Sequence, residues 1–391
     1  MISTINILRQ TKALLVFFAL LLALPVLSSE PDEHEAVAIA AESKPAGEEK
    51  VNITKVAFEH ILDSHSWHLW GEGHDAVSIP LLVILNSNAG LSIFSSGEFH
   101  HDTHGMHVVE KNGERFVNFE EKIYYASEVP NEHGQYLETE LEGGETVVKN
   151  ASPLDLSITK NVAQMFISAL VLFLIFTSIA KAYKTTGVNT APKGKQSFFE
   201  PLIVFVRDDL AKGNIGPKYE KYVPYLLTVF FLILINNVFG MIPIGANLTG
   251  NIAFTFVLSV VTLIVTNVNA NGAYWHHIFM PPAPKWLWPI LIPIEVVGIL
   301  TKPFALMIRL FANMTAGHII VISLLGLIFF FESLAISPVS VAFALFIDVL
   351  ECLVAFLQAY IFTMLTALFI GAATADHGHD EEHAHGEAAS H

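Results

Sequence analysis

The second half of the chain contains apolar runs that are long enough to cross a lipid bilayer. The run 162–180 holds about 20 residues, which is the length that a helix needs to span a hydrocarbon core of about 30 Å. Further runs cover residues 222–242, 252–268, 286–331 and 338–371. In lipid every backbone amide must be bonded within its own segment, so the sequence predicts an all-α polytopic membrane protein with about five membrane helices.

Composition supports this class and excludes others. Of the 391 residues 52% are hydrophobic and only 15% are charged, which is unusual for a water-soluble protein. The net charge of −16 argues against a nucleic-acid partner, because phosphate contacts need a basic surface. The only cysteine, Cys352, lies in an apolar run, so an intrachain disulfide or a cysteine-based zinc site is impossible.

The longest run, 286–331, is too long for one upright span. At 1.5 Å per residue its length would be about 70 Å of helix, about twice the thickness of a bilayer. Either two spans follow each other without an evident turn, or one helix lies strongly tilted. Pro289, Pro293 and Pro303 are candidates for kinks because proline removes a backbone donor. We expect the last two helices to be long and strongly tilted, with a break at Ser337-Pro338.

Charges around the first span predict its orientation. Cations follow that span closely and mark the cytoplasmic side: Lys181, Lys184, Lys193, Lys195, Arg207, Lys212, Lys218 and Lys221. Within this loop residues 198–212 have apolar residues at near-helical spacing and are typical of an interfacial helix. Residues 222–242 and 252–268 then form a helical hairpin, and five crossings place the C-terminal tail (372–391) in the cytoplasm.

The N-terminal part is predicted to be exported. Residues 1–29 have two cations followed by an apolar core, which indicates a signal peptide; a short membrane anchor is the alternative. Residues 30–50 are predicted to be an acidic disordered linker. Residues 51–150 contain short β-rich runs separated by turn signals such as Asn112-Gly113, which predicts a small β-rich exported domain.

Histidines are concentrated in the exported region and in the tail. The first group is His60, His65, His68, His74, His100, His101, His104 and His107, and the tail adds His377, His379, His383, His385 and His391. Imidazole binds zinc and copper, so a metal site is one interpretation. The favoured interpretation is solvent-exposed histidines without bound metal, because no tetrad has the spacing of a metal site.

Ionisable and amide side chains recur inside the last two apolar runs, where such groups usually line polar paths. They are Glu295, Lys302, Arg309, His318, Asp348, Glu351 and Gln358. The first three are spaced by seven residues and share one stripe, as do Glu351 and Gln358, whereas His318 faces away from Arg309.

Several of these polar groups have structural alternatives. Arg309 can reach an interface or pair with Glu351 or Asp348, and Lys302 is expected near a helix end, where its ammonium can reach water. The amides of Asn236 and Asn237 fit interhelical hydrogen bonds as well as a place in an ion path.

Two blocks of sequence carry a resemblance to a known family. TKPFALMIRLFANMTAGH (Thr301 to His318) and FLQAYIFTMLT in the last run are similar to the signature of the a subunit of F-type ATP synthases. The resemblance covers roughly residues 160–371 and includes the interfacial helix, the hairpin and the glutamate fourteen residues before the arginine. The shorter members of the family have no counterpart of the N-terminal region.

The resemblance implies roles for particular residues. Arg309 corresponds to the stator arginine that faces the carboxylates of a rotating ring of c subunits, and Asn313 and Gln358 line the same interface. His318 and Glu351 correspond to a polar pair in an aqueous half-channel, exchanged relative to many bacterial members, as in mitochondrial ones. The implied proton-translocation set is Arg309, His318, Glu351, Glu295, Asn313 and Gln358, with Asn237, Lys302 and Asp348 in support.

The implied protein is a non-catalytic, proton-translocating subunit without cofactor or metal in a bacterial inner membrane. Its implied partners are c-ring subunits, b subunits of the peripheral stalk and the lipid bilayer, with no directly bound nucleotide. A secondary transporter usually has internal repeats, and no repeat is evident. A membrane metalloenzyme would need a motif such as His-Glu-x-x-His in the apolar region, whereas His276 and His277 are expected in a loop.

Overall fold

The computed structural model describes residues 63–70, 77–142, 145–186, 191–242, 245–281, 283–331 and 337–375. The predicted signal peptide and acidic linker, most of the predicted tail with its histidines, and His60 and His74 lie outside these ranges. The described chain forms two compact units. One lies within Thr54–Ile167 and Ile242–Leu248, and the other lies within Ser168–Met241 and Thr249–His391.

The first unit is built from short antiparallel strands. In chain order they are β1 (Ser66–Trp70), β2 (Val77–Pro80), β3 (Leu82–Ser87), β4 (Gly90–Ser95), β5 (Val109–Lys111), β6 (Glu114–Phe119), β7 (Lys122–Tyr125), β8 (Thr139–Glu142), β9 (Glu145–Val148) and β10 (Leu154–Asp155). They pair as β1-β2, β10-β3-β4, β5-β6-β7 and β8-β9. We refer to residues 63–159 as the β region.

Alternation of apolar and polar residues gives the β region its core. In β3 and β4 every second side chain is buried, so that Val83, Leu85 and Phe94 face inward. They pack with Phe99, Val109, Phe116 and Ile123 into one apolar cluster. The turn predicted at Asn112-Gly113 is confirmed as a two-residue connection between β5 and β6. Both turn residues have positive φ, as a type I′ turn requires.

Seven helices follow in the described chain. They are α1 (Lys160–Thr186), α2 (Lys195–Phe205), α3 (Val223–Met241), α4 (Ile252–Val268), α5 (Gly272–Phe279), α6 (Trp288–Phe331) and α7 (Ser337–Thr374). Helix α2 continues through a π-helical turn, Val206–Lys212, into a last helical turn, Gly213–Ile215. The segment for which an interfacial helix was predicted is therefore helical.

The number of membrane helices agrees with the predicted fold class. Within the described residues four helices (α1, α3, α6 and α7) are long and apolar enough to cross a bilayer. Helices α4 and α5 provide a fifth span if they are counted as one unit, and they are bent by 101° where they meet. The predicted all-α polytopic class, with small sheets in the N-terminal region, is therefore confirmed.

The longest apolar run, 286–331, was expected to form either two spans or one tilted helix. Helix α6 is a single helix of 44 residues that includes Pro293 and Pro303, so the run is not divided into two spans. Helix α7 is also long, with 38 residues.

The C-terminal end of α7 is fixed by close backbone contacts. Gly371 lies so close to the turn after the π-helical segment that a Cβ would overlap the carbonyl oxygen of Asn214 and lie 3.3 Å from Ile215 Cα. The backbone N–H and the side-chain amide of Asn271, just before α5, donate to the carbonyls of Ala373 and Thr374 at 2.8 and 2.7 Å. These bonds satisfy carbonyls that the end of a helix leaves open.

Two expectations about histidines are wrong. His276 and His277 lie inside α5 rather than in a loop, because Asn271 precedes them at the helix start and the next proline comes only after the helix. His65 is not solvent-exposed: only 6% of it is accessible, because it lies between Asp155 at the end of β10 and Glu121 in the turn between β6 and β7. His68, His100, His101 and His104 are exposed as expected.

Candidate functional site: the polar seam of α6 and α7

Helices α6 and α7 pack side by side and run antiparallel. Three contacts show their register, in order along α6: Lys302 with Phe369, Asn313 with Gln358, and Leu324 with Ser340. As the residue number rises along α6 it falls along α7, so the two sequence blocks lie side by side and Asn313 meets Gln358. We call this line of contacts the polar seam.

Arg309 and Asn313 lie one helical turn apart on α6, and both are exposed. Asn313 Nδ2 donates to Gln358 Oε1 at 2.9 Å. Gln358 itself is 1% exposed, and its Nε2 makes no hydrogen bond within the described chain. Arg309 forms no ion pair with Glu351 or Asp348 in the described chain, so the paired alternative is not realised and its guanidinium remains available on the surface of α6.

Glu351 lies further along the seam, next to the backbone of α6. The residue is buried, and its Oε1 makes no hydrogen bond within the described part of the chain. Gly317 makes this approach possible, because a Cβ there would lie only 2.7 Å from Glu351 Oε1. The half-buried His318 follows directly, and the half-buried Asp348 precedes Glu351 by one turn. Glu351 Oε1 lacks a hydrogen-bond partner in the described chain and lies beside the turn of α6 that carries His318. A water molecule or another proton donor would be stabilised there.

Helix α3 contributes two buried amides with different roles. Asn237 Nδ2 donates to the carbonyl of Ala355 at 3.1 Å and joins α3 to α7. Asn236 Nδ2 donates to the Leu232 carbonyl of its own helix at 2.8 Å. The Oδ1 atoms of both residues are buried without a partner in the described chain. Asn237 therefore has the interhelical bond that the sequence suggested, together with a free acceptor.

Glu295 and Lys302 are not part of the group around Arg309. Lys302 lies well inside α6, and its Nζ is 5.4 Å from the centre of the Phe369 ring, so the expectation of a position near a helix end is wrong. The apolar run in which it occurs folds as one continuous helix, which explains the difference. Glu295 is half-buried one turn before Ile299, which with Lys302 lines a narrow pocket between α4, α5, α6 and α7.

Sequence reasoning missed a row of hydroxyl groups on α4. Thr255, Ser259, Thr262 and Thr266 are 5% exposed or less and recur at intervals of four, three and four residues. The first three donate to carbonyls of the preceding turn, whereas Thr266 Oγ1 has no partner in the described chain and lines the pocket beside Lys302. The helical period of these hydroxyls in an otherwise apolar segment was the signal that could have identified them.

The described residues contain no group of three or more His, Cys, Asp or Glu side chains that could hold a metal ion. The rings of His100 and His107 meet edge to face with centres 4.6 Å apart.

Two family models match the chain. The model of the ATP synthase A chain matches residues 162–371, which contain α2 to α6 and most of α1 and α7. A second model, described as a domain of unknown function (DUF8433), matches residues 56–156, which contain all the strands of the β region.

Curated relatives give the same result. "ATP synthase subunit a" of Chloroherpeton thalassium is 52% identical over 242 residues, which is 61% of this chain and 72% of the relative. The protein of the same name from Myxococcus xanthus is 48% identical over 244 residues, 59% of this chain and 79% of the relative.

A third relative extends further towards the N-terminus. "ATP synthase subunit a" of Chlorobium phaeobacteroides (strain DSM 266) is 44% identical over 333 residues, 80% of this chain and 94% of the relative. An alignment of this length includes part of the β region, so that region does have a counterpart in other members. The matched segment, the helices and these identities together show that the chain is a multi-pass membrane protein of the ATP synthase A chain family, whose members are subunit a of the membrane sector.

Proposed function

We propose that this chain forms the stator half of the proton path of a rotary ATP synthase. It supplies two half-channels and the surface against which a ring of c subunits turns, and so couples proton translocation to ATP synthesis. The observation that carries the proposal is the arrangement of the polar seam: Arg309 and Asn313 are exposed on α6, while Glu351 is buried against Gly317. Arg309 and Gly317 are eight residues apart on α6, which corresponds to about 12 Å along the helix axis.

Arg309 is the group that faces the ring. A guanidinium keeps its charge at every working pH, so it cannot carry protons by titration. It can favour the ionised form of a carboxylate that comes within about 4–6 Å, and its fixed charge opposes a direct proton leak between the half-channels. Asn313 and Gln358 orient the same surface through their hydrogen bond.

Glu351, His318 and Asp348 line one half-channel. Burial of a carboxyl group is costly unless water or a partner satisfies it, and the free Oε1 of Glu351 fits a hydrated path. Asn237 joins it through α7. A separate narrow pocket lined by Lys302, Thr266 and Asn267 lies on the other side of Arg309 along α6, and we assign it with Glu295 to the second half-channel.

The proposed partners follow from these surfaces. Exposed apolar side chains on α6 and α7 fit lipid and ring helices, among them Ile308, Phe346 and Leu353, each more than half exposed. We assign b subunits of the peripheral stalk as further partners and leave nucleotide chemistry to other subunits. The cations after α1 favour a cytoplasmic first loop, an exported β region and a cytoplasmic tail in a bacterial inner membrane.

The test is proton pumping in inverted membrane vesicles that carry Arg309→Ala. We expect ATP-driven acidification to fall to the level of vesicles without the complex, although the complex still assembles, and passive leak to stay equal or rise. Arg207→Ala is the matched control, because Arg207 is an exposed arginine that pairs with its neighbour Asp208 at 2.7 Å outside the spans. The control should pump like the wild type. Pumping near the wild-type rate by an assembled Arg309→Ala complex would overturn the assignment.

A further inference from the structure

Five ionisable groups meet where the β region ends and α1 begins. Asp63 and His65 precede β1, Glu121 lies in the turn between β6 and β7, Asp155 ends β10, and Lys160 begins α1. We call these residues the acid–base cluster. None of them belongs to the proton path proposed above.

Hydrogen bonds tie the cluster together. His65 Nε2 lies 2.7 Å from Asp155 Oδ2, and the backbone N–H of His65 donates to Glu121 Oε2 at 3.2 Å. Asp63 Oδ1 accepts from the backbone N–H of Asn161 at 3.0 Å, in the first turn of α1. Three separate parts of the β region are thus fastened to one another and to the first turn of the helix.

The backbone at Glu121 indicates that its carboxylate is placed there by the fold. Glu120 and Glu121 form the two-residue turn between β6 and β7 with φ values of 48° and 64°. Asn-Gly is the favoured pair for such a turn, and side chains other than Asn, Asp or Gly are strained there. The turn thus holds the Glu121 carboxyl group where it accepts the hydrogen bond from the His65 backbone amide.

The charges of the cluster do not balance without an added proton. Three carboxyl groups face one imidazole and one ammonium, and the imidazole is 6% exposed. Uncompensated buried charge is unfavourable, so the cluster is most stable with both bases protonated and one proton held by a carboxyl group. Asp63 and Glu121 repel each other when both are ionised, so the extra proton is held by one of these two carboxyl groups.

The local environment favours the protonated forms of Asp63, Glu121 and His65, as this balance requires, whereas burial acts against the charged form of Lys160. Burial raises the pKa of Asp63 and the pKa of Glu121. Burial alone would lower the pKa of His65, but the hydrogen bond and charge of Asp155 outweigh it and leave this pKa raised. Burial likewise acts to raise the pKa of Asp155, yet the His65 bond holds it below its usual value.

The directions of these pKa shifts determine the pH range in which the cluster stabilises the fold. Groups whose pKa is raised by folding stabilise the fold below their unfolded pKa and lose that effect as the pH rises through the folded value. Asp63, Glu121 and His65 therefore all weaken the cluster on the alkaline side. Asp155 has the opposite sign and loses its contribution only as the pH falls below the ordinary range of a carboxyl group.

We propose that the acid–base cluster is a proton-operated clamp, which fastens the β region to the first turn of α1 when it holds an extra proton and releases it when the surrounding solution becomes alkaline. The clamp needs only the fold of the β region. Its contact with the exported compartment rests on the orientation proposed above, under which a standing proton gradient keeps the clamp closed.

Hydrogen exchange of the complete, detergent-solubilised complex tests the clamp. Protection of the backbone amides of residues 158–163, corrected for the intrinsic exchange rate, is measured from about pH 6 to about pH 9. We expect protection to fall with rising pH by up to about tenfold per pH unit for each proton released. Glu121→Gln and Asp63→Asn carry neutral amides in place of the protonated carboxyls, so they should keep the amides protected at high pH.

Glu110→Gln is the matched control, because Glu110 is an exposed glutamate on β5 outside the cluster, and it should retain the wild-type pH dependence. Gained protection at high pH is a result that misfolding would not produce. Protection that is independent of pH in the wild type, or unchanged pH dependence in both cluster variants, would overturn the clamp. Neither result depends on proton pumping, so failure of the clamp and failure of the proposed function are distinguishable.

Discussion

The β region and the helical unit both have a core of apolar side chains, but the helical unit also buries several amides and hydroxyls and exposes many large apolar side chains. The β region hides Val83, Leu85 and Phe116 completely, as a protein in water does. The helical unit buries Asn237, Gln358 and the hydroxyls of α4, while Phe346 and Leu353 are more than half exposed. The difference shows that burial follows the solvent: water drives apolar groups inward, whereas lipid does not and leaves polar groups to find each other.

The largest effect is expected in the β region. Phe116→Ala removes a fully buried ring and should lower the free energy of unfolding of this region by about 3–5 kcal/mol, as measured by native-state hydrogen exchange of β6 amides. Ile93→Ala, at a side chain that is 55% exposed, should change it by no more than about 0.5 kcal/mol. Equal effects at the two positions would remove the contrast between core and surface on which the comparison rests.

In the helical unit the largest effect should come from backbone crowding rather than lost apolar burial. Gly371→Ala would overlap the Asn214 carbonyl, and overpacking costs of about 1–3 kcal/mol or more apply where backbone must move. We expect less assembled complex in membranes. Gly298→Ala is the control on α6, where an added Cβ meets no atom within 4 Å, and normal assembly of both variants would contradict the contact.

Gly317→Ala tests the contact between the backbone of α6 and the buried Glu351 side chain. Its Cβ would press on Glu351 Oε1, the end of a flexible side chain, so the complex should assemble while ATP-driven proton pumping per complex falls. Adding Glu351→Asp shortens the carboxyl side chain and should restore part of the pumping. If the double variant pumped less than Gly317→Ala alone, crowding of Glu351 would not be the cause.

The smallest effect is expected at the Asn313–Gln358 bond. Asn313→Ala should lower stability by about 0.5–1.5 kcal/mol, the net value of one hydrogen bond, as seen in thermal dissociation of the solubilised complex. In the double variant Asn313→Ala/Gln358→Ala the two effects should not add, because they remove the same bond. Simple additivity would show that the bond contributes nothing.

Local pattern was enough to predict much of the fold. The Asn112-Gly113 turn and the helices α2, α3 and α4 all have short-range signals, either turn residues or apolar periodicity. The shared stripe of Glu351 and Gln358 also follows from helical spacing, and both residues are buried. Roles within the seam came from the resemblance of two sequence blocks and remain predictions.

Contacts between distant residues were beyond that reasoning. The approach of Glu351 to Gly317 depends on the register of two long helices, which no local pattern specifies. His65 was assigned to exposed loops because its partner Asp155 is 90 residues away. The continuity of α6 through Pro303 was undecidable from sequence, since proline can either kink or end a helix.

The length of α6 determines how far this helix extends parallel to the membrane plane. Its 44 residues correspond to about 66 Å, against a hydrocarbon core of about 30 Å. If its two ends lie at the two membrane surfaces, the helix is tilted and extends about 59 Å parallel to the membrane plane. That extent is several times the helix diameter of about 10 Å. A rotor beside such a helix would be in contact along an arc rather than at one point. Lateral load would then be shared by a continuous ladder of backbone hydrogen bonds instead of by one side chain.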